Sequence, residues 1–357
     1  MSNLSYSISE DKNSDESFYN RCYHLKEMNT IRLISNAYDI KNEEVVLSSS
    51  GIEALSILLE TIMINEKNKK INLFYSNELY CDTLQLIIYY EKIYGIFNLI
   101  QFNLHENFED KICKTYKDTT NIVLLESCTN PNGILFNYDV IPSIKKNTKN
   151  TLFIVDNTWL THICFNPFKY DIDFVFCSMS KHYSSGNCIG GFIAGPIVFM
   201  NNMKKIKIIT GKHISLPYCD IIIQEMPFME KRIIETFYKT LEIASFMNNY
   251  FKNVNYPLLE NNTSYTLAKK YLKYGPNMLS FVLNKTKEDT IYWMKQFKTI
   301  KYKTSFGSSQ TKFDCWSVAL DETNTQIRLS IGYDCNVEET IHELKLRIKD
   351  VSSASLE

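Results

Sequence analysis

The sequence predicts an α/β fold, with a large domain on a mostly parallel sheet covered by helices and a smaller α+β domain after it. Three observations predict this. Between about residues 45 and 195, short apolar β-branched runs alternate with amphipathic stretches of helical spacing, the pattern of repeated strand and helix units. A lysine-rich stretch from 200 to 275 then reads as helical, broken at Pro217, Pro227 and Pro257. From Asn277 the order becomes strand, helix, strand, helix, and 357 residues at roughly 150 per domain leave room for both units.

The expected strands of the first unit are Ile71 to Ser76, Phe97 to Phe102, Asn121 to Ser127, Thr151 to Asp156, Asp173 to Ser178 and Cys188 to Ala194. Gly51 to Ile64 carries Ile52, Leu55, Leu58, Leu59 and Ile62 at helical spacing, and Cys81 to Tyr94 does the same with Leu84, Ile87, Ile88 and Ile93. In the second unit, Met278 to Leu283 and Thr325 to Ile331 read as strands, and Glu288 to Phe297 and Val337 to Ile348 as helices. Asn336 and Glu339 stand in capping-box spacing at the last helix, which puts Val337, Ile341, Leu344 and Ile348 on one face.

Composition narrows the function classes. Lys+Arg 39 against Asp+Glu 40 leaves a net charge of −1, so there is no basic footprint for nucleic acid or an anionic membrane. A 45% hydrophobic and 22% charged content is that of a folded protein. Ten cysteines with no C-x-x-C pair point to reduced thiols and a cytoplasmic setting. Met1 to Ser17 is polar and acidic, unlike a secretory signal, and the longest apolar stretch, Ile189 to Met200, is broken by Gly190, Gly191, Gly195 and Pro196. The histidines are scattered, and none stands at metal-ligand spacing with the cysteines, so no metal site is expected.

Four places put polar groups at strand ends, where an open α/β sheet forms its ligand crevice. Ser48-Ser49-Ser50-Gly51-Ile52 sits at the mouth of a helix, suited to a phosphate or equally to an ordinary serine cap. Asp156 ends a strand, where it can meet a metal, a ribose or a protonated ring nitrogen, or cap the next segment. Lys181 follows a strand with Ser178 and Ser180 before it, and a buried ammonium must be paired, snorkelling or chemically used. Glu126 to Asn132 is a strand end running into a polar turn. Together, a phosphate cup, an acid, and 25 residues later a Ser-x-Ser-Lys match the needs of pyridoxal phosphate.

With these residues in that order, the sequence resembles the cysteine/methionine-metabolism family of pyridoxal-phosphate enzymes, which includes cystathionine γ-synthase, the cystathionine lyases and methionine γ-lyase. The resemblance runs from about residue 17 to 350. It is also carried by Tyr19-Asn20-Arg21, Glu78 to Thr83, Val155 to Thr158, Gly190-Gly191, Val254 to Pro257, Ser305-Phe306-Gly307 and Ile327 to Gly332. It implies the aspartate-aminotransferase-like fold type I with a seven-stranded large sheet. It further implies an arm over residues 1–40, a cofactor domain over 41–225, and a connecting helix with the α+β domain over 226–355.

Position by position, the resemblance implies that Lys181 forms the aldimine with the cofactor and shuttles protons between substrate carbons. Asp156 pairs with the pyridinium, Tyr80 stacks on the ring, and Asn130 reaches the ring hydroxyl. Ser50, Gly51, Ile52, Ser178 and Ser180 hold the phosphate, joined by Tyr19 and Arg21 of a neighbouring subunit. The enzyme is thus expected to be a homodimer at minimum and a homotetramer by resemblance. Arg328 clamps the substrate α-carboxylate as a bidentate fork, with Ser305 beside it. The implied activity is γ- or β-elimination or replacement, as a lyase or transferase, on a sulfur-containing or O-activated amino acid.

Departures cluster where the distal end of the substrate is held. Cys81 and Asp82 replace two small residues, Gln85 stands where arginine is common, Thr304 precedes Ser305 where glutamate is common, and Thr311-Lys312-Phe313-Asp314 replaces a stretch with histidine and proline. Asp82 reads either as a cap or as a group that favours a cationic distal end. A non-catalytic, cofactor- or amino-acid-binding regulatory homologue is the alternative, but such a protein has no physical need for Lys181, Asp156, Tyr80 and Arg328 together. A nicotinamide enzyme lacks its G-x-G-x-x-G.

Overall fold

Alternation of apolar residues on both faces makes the large sheet a buried central layer. The computed structural model describes residues 24–66, 69–104, 106–251, 253–317 and 323–352. Seven strands form the large sheet: β1 (Val45–Ser48), β2 (Ile71–Ser76), β3 (Phe97–Phe102), β4 (Thr120–Glu126), β5 (Asn150–Asp156), β6 (Phe174–Ser178) and β7 (Gly191–Ala194). Their order is β1-β7-β6-β5-β4-β2-β3, with β7 antiparallel to both neighbours and every other pair parallel.

Period-2 geometry divides β4 and β5 between two cores. Val123, Leu125, Phe153 and Val155 enter one cluster, and Ile122, Leu124 and Ile154 enter the other. The helix Gly51–Glu66 fills the second cluster with Ala54, Leu55, Leu58 and Ile62, which is why it is apolar nearly all round. The helix Cys81–Tyr94 stops at Gly95, whose φ of 58° supplies the left-handed cap and whose N–H closes on Glu91.

The second sheet has four strands, β8 (Met278–Leu283), β9 (Lys301–Tyr302), β10 (Lys312–Ser317) and β11 (Thr325–Ser330), in the order β8-β11-β10-β9. One face, with Leu279, Phe281, Phe313, Ile327 and Leu329, packs with Ile243 and Met247 of the helix Met229–Asn248 and with Leu344 and Ile348 of the helix Val337–Ser352. Asn336 caps the latter, its side chain accepting the Glu339 N–H at 3.3 Å. The other face carries Ser280, Lys312, Asp314, Gln326, Arg328 and Ser330 and turns toward the large sheet, where Asn132 accepts from both Ser280 and Gln326.

The sequence-based expectations need four corrections. β1 is the seventh strand that the resemblance implies and is absent from the apolar runs named for the first unit, being four residues long and running straight into the serine turn. β7 begins at Gly191 rather than Cys188, and the helix expected to reach Phe297 ends at Met294. β9 and β10 were also not expected, so the small sheet has four strands rather than two. Among the described residues no helix is long and apolar enough to cross a membrane.

Candidate active site

Because β1, β2, β4, β5 and β6 point the same way, their C-terminal ends line one edge of the large sheet. That edge presents Ser48, Ser76, Glu126, Asp156 and Ser178 in the first positions of the cleft. The polar face of the small sheet supplies the opposite wall.

The serine turn is both a cap and a cup. Ser50 Oγ accepts the Glu53 N–H at 3.1 Å and Ser50 O accepts that of Ala54 at 2.9 Å, which leaves the first two helix N–H groups, of Gly51 and Ile52, for a ligand. Two glycines permit the approach. A Cβ on Gly51 would lie 2.9 Å from Ser178 Cβ, and one on Gly191 would lie 2.2 Å from Ser50 O. Gly51, Ser50 and Ser178 therefore meet because no side chain separates them. Ser180 is placed alongside, its Oγ accepting the Gly190 N–H at 3.2 Å.

Asp156 accepts from both the N–H and the hydroxyl of Thr158, and Thr158 Oγ1 accepts the Ser178 N–H at 2.9 Å. The acid and the serine before the lysine are thus tied through one threonine. Asp156 keeps part of its surface open to the cleft, yet loss of surrounding water raises its carboxyl above the ordinary range, against the pull of Thr158 and of Lys181. Glu126 lies directly beside it in register, 6% exposed. Burial and the neighbouring Asp156 raise its carboxyl as well, although it accepts the N–H groups of Tyr80 at 2.6 Å and Asn130 at 2.9 Å. Glu126 is therefore the clamp joining the Tyr80 and Asn130 loops.

Lys181 donates to Ser305 Oγ at 2.9 Å, and its ammonium lies 5.3 Å from the Phe306 ring centroid. Burial first, and then the positive charges of Arg328 and Lys312, push its pKa down to about 8. Arg328 is 4% exposed and opposes Asp314 across the strand pair, with an ion pair of 3.3 Å, and it donates to Asn130 Oδ1 at 3.1 Å. Tyr80 is 39% exposed and donates its hydroxyl to Asp82 Oδ2 at 2.7 Å, and burial and that acid both raise the phenol pKa. Asp82 lies inside the first helical turn rather than capping it, its carboxylate taken up by Tyr80 and Cys81.

The cleft thus gathers Ser50, Gly51, Ile52, Tyr80, Asp82, Asn130, Asp156, Ser178, Ser180, Lys181, Ser305 and Arg328. Tyr19 and Arg21 lie outside the described residues. The sequence alone gives no individual role to Thr158 or Glu126, and singles out Lys312 and Asp314 only as part of a stretch that departs from the family. The last two were legible in principle, since polar Lys312 and Asp314 alternate with apolar Phe313 and Cys315 as in a half-buried strand.

Comparison with known proteins agrees with this architecture. The L-methionine gamma-lyase of Fusobacterium nucleatum subsp. polymorphum is 26% identical over 333 residues, spanning 87% of this chain and 81% of that protein. The structure of cystathionine gamma synthase from Xanthomonas oryzae pv. oryzae, in complex with aminoacrylate and cysteine, superposes with a TM-score of 0.83 at 18% identity, covering 98% of this chain and 91% of that one. A putative O-acetylhomoserine (thiol)-lyase from Campylobacter jejuni, solved with N'-pyridoxyl-lysine-5'-monophosphate, gives 0.76 at 22% identity, covering 96% and 97%. The profile of the Cys/Met metabolism PLP-dependent enzymes matches residues 3–345. A lysine, an acid and a helix-mouth cup at one sheet edge, within a match spanning nearly the whole chain, place the protein in that family as a pyridoxal-phosphate-dependent enzyme of fold type I.

Proposed function

We propose that this enzyme eliminates or replaces a β- or γ-substituent of a sulfur-containing or O-activated amino acid, with Lys181 as its working amine. The observation that carries the reading is the Lys181 nitrogen, held on Ser305 between a buried arginine and a water-poor acid, with its pKa brought down to about 8.

The residues present fit the cofactor. The N–H groups of Gly51 and Ile52, with Ser50, Ser178 and Ser180, form a cradle for a phosphate, brought together because Gly51 and Gly191 carry no Cβ to strike Ser178 and Ser50. Asp156, for which no ion pair exists among the described residues, suits a cationic ring nitrogen. Bound pyridoxal phosphate supplies an aldehyde for amines and a protonated ring that withdraws electrons from the substrate α-carbon. Asp156 would hold that ring proton in place, Tyr80 would cover the ring, and Asn130 would meet the ring hydroxyl.

Arg328 and Ser305 would grip the substrate α-carboxylate and so hold the α-carbon within reach of Lys181 Nζ. Lys181 Nζ takes the α-proton and, for a γ-substituent, passes it on and removes one from the β-carbon. A β-substituent needs only the first transfer. Asp82, already hydrogen-bonded to Tyr80, sits where the distal group is selected. Tyr19 and Arg21 complete the phosphate site of a neighbouring subunit, so the active form is at least a dimer, with a dimer of dimers as the full assembly, acting in the cytoplasm.

The test is to load the protein with pyridoxal phosphate, record its visible absorption band, and assay 2-oxo acid, ammonia and thiol across a panel of amino acids. Lys181→Ala loses the band and the activity. A colourless wild type, or a coloured one that releases none of the three products from any amino acid, refutes the reading.

A further inference from the structure

A buried lysine normally has an acid to meet. Lys207 shows the usual solution, pairing with Glu27. Lys312 does not. It is 6% exposed, and its ammonium donates to Ser308 Oγ at 2.7 Å, while among the described residues no carboxylate lies within ion-pair distance. Burial first, and then the positive charges of Lys303 and Arg328, lower its pKa, while Asp314 on the same strand face is engaged by Arg328. Ser308 stands three residues after Ser305, the hydroxyl that receives Lys181, so one tight turn carries both ammonium groups. The turn is fixed by positive φ at Ser305 (81°) and Gly307 (77°). A Cβ on Gly307 would come within 2.8 Å of the His182 N, so the turn is pressed against the residue following Lys181.

We infer that Lys312 is a positioning residue for Lys181, an unneutralised second ammonium on the same turn whose repulsion makes the Lys181 nitrogen give up its proton more readily, and so leaves more of it able to accept a substrate proton at a given pH. Resting on the proposed function, the inference explains why a buried cation is kept without an acid. An unpaired ammonium costs stability at this place, and what it supplies is electrostatic bias on the reacting amine. The groups facing Lys181 are Arg328 and Asp314 from the small sheet, Lys312 beside them, and Asp156 from the large sheet. His182 next to it is held neutral, its pKa pushed to about 4 by burial. Arg328 is balanced by Asp314, and Asp156 is directed at the cofactor ring, so Lys312 is the uncompensated charge.

In the cofactor-loaded enzyme, the visible band reports whether the Lys181 nitrogen carries a proton, and its pH titration gives a midpoint. Lys312→Met removes the charge and keeps the apolar stem, and Lys312→Arg keeps the charge. The midpoint should rise by about one unit in Lys312→Met and stay within a few tenths of a unit of wild type in Lys312→Arg. The acid limb of kcat/KM should move up with it. Lys312→Gln serves as the second neutral variant should the methionine variant not fold. An unmoved midpoint in a folded, coloured neutral variant overturns the inference, and so does a selective loss of affinity for substrates with a second carboxylate at an unmoved midpoint, which makes Lys312 a substrate anchor instead. A wild type with no band is a different failure, that of the cofactor reading itself.

Discussion

The two walls of the cleft carry opposite kinds of ionisable group, acids on one and cations on the other. From the large sheet come Glu126 and Asp156, adjacent in register, both with raised pKa and neither with an ion pair among the described residues. From the small sheet come Arg328 and Lys312, the one balanced by Asp314 and the other only by a hydroxyl. Lys181 issues from the acidic wall but hangs on the cationic one through Ser305. Neither wall is at its most stable alone, since each holds charge away from water without full compensation. A ligand with a cationic ring edge toward one wall and an anionic carboxylate toward the other relieves both, so the arrangement favours a bound state over an empty one.

Removing the acid should break the comparison most severely. Asp156→Ala leaves no group to keep the ring nitrogen protonated, and kcat should fall by about 10³-fold or more in the range of lost acid–base assistance. Asp156→Glu should recover part of the rate. A fall of less than tenfold in Asp156→Ala, with the cofactor bound, would place the ring elsewhere and dissolve the assignment of the acidic wall.

The cationic wall should respond through binding. Loss of a charge-assisted, bidentate contact corresponds to about 2 to 3 kcal/mol, so Arg328→Leu should raise KM by roughly 30- to 150-fold. Part of that loss comes from exposing the incoming carboxylate to Asp314. The double variant Arg328→Leu with Asp314→Asn should therefore bind substrate several-fold better than Arg328→Leu alone, a non-additive result readable from the four KM values. Additive values would mean that Asp314 does not face the carboxylate.

The same contrast explains what the sequence makes legible. On the large sheet, Asp156, Ser178 and Lys181 close apolar runs long enough to be read as strands, so position along the chain already predicts position in the cleft. Gly51 and Gly191 are visible as glycines, but their reason, a backbone so close to Ser178 and Ser50 that a Cβ would come within 3 Å of them, exists only once β1 and β7 have paired. On the small sheet, β10 alternates Lys312, Phe313, Asp314 and Cys315, and its polar half makes it look like a loop until the facing wall is present to bury it. Glu126 was legible as a strand end but not as a clamp, because its partners Tyr80 and Asn130 arrive from different parts of the chain.

The smallest effect expected is on stability, and it separates the two walls by sign. A carboxyl whose pKa is raised on folding binds protons more tightly in the native state. Its contribution is fully present below the unfolded value of about 4.5 and disappears as pH rises through the higher folded value. For Glu126 and Asp156 the shift is upward through burial, so the cofactor-free protein should lose thermal stability as pH climbs from about 4.5 past neutrality. Lys181 runs the other way. Its pKa is lowered to about 8, so the native state sheds its proton early, and stability should recover between pH 8 and the unfolded value near 10.4. Glu126→Gln should flatten the first slope, while still accepting one of the two N–H groups, and leave the second unchanged. Lys181→Met should shrink the second, to which the lowered Lys312 also contributes, and spare most of the first. A melting series over pH 4.5 to 10.5 on the cofactor-free proteins reads both, and one slope responding to both substitutions would show that the two walls titrate as a single unit rather than as opposed halves.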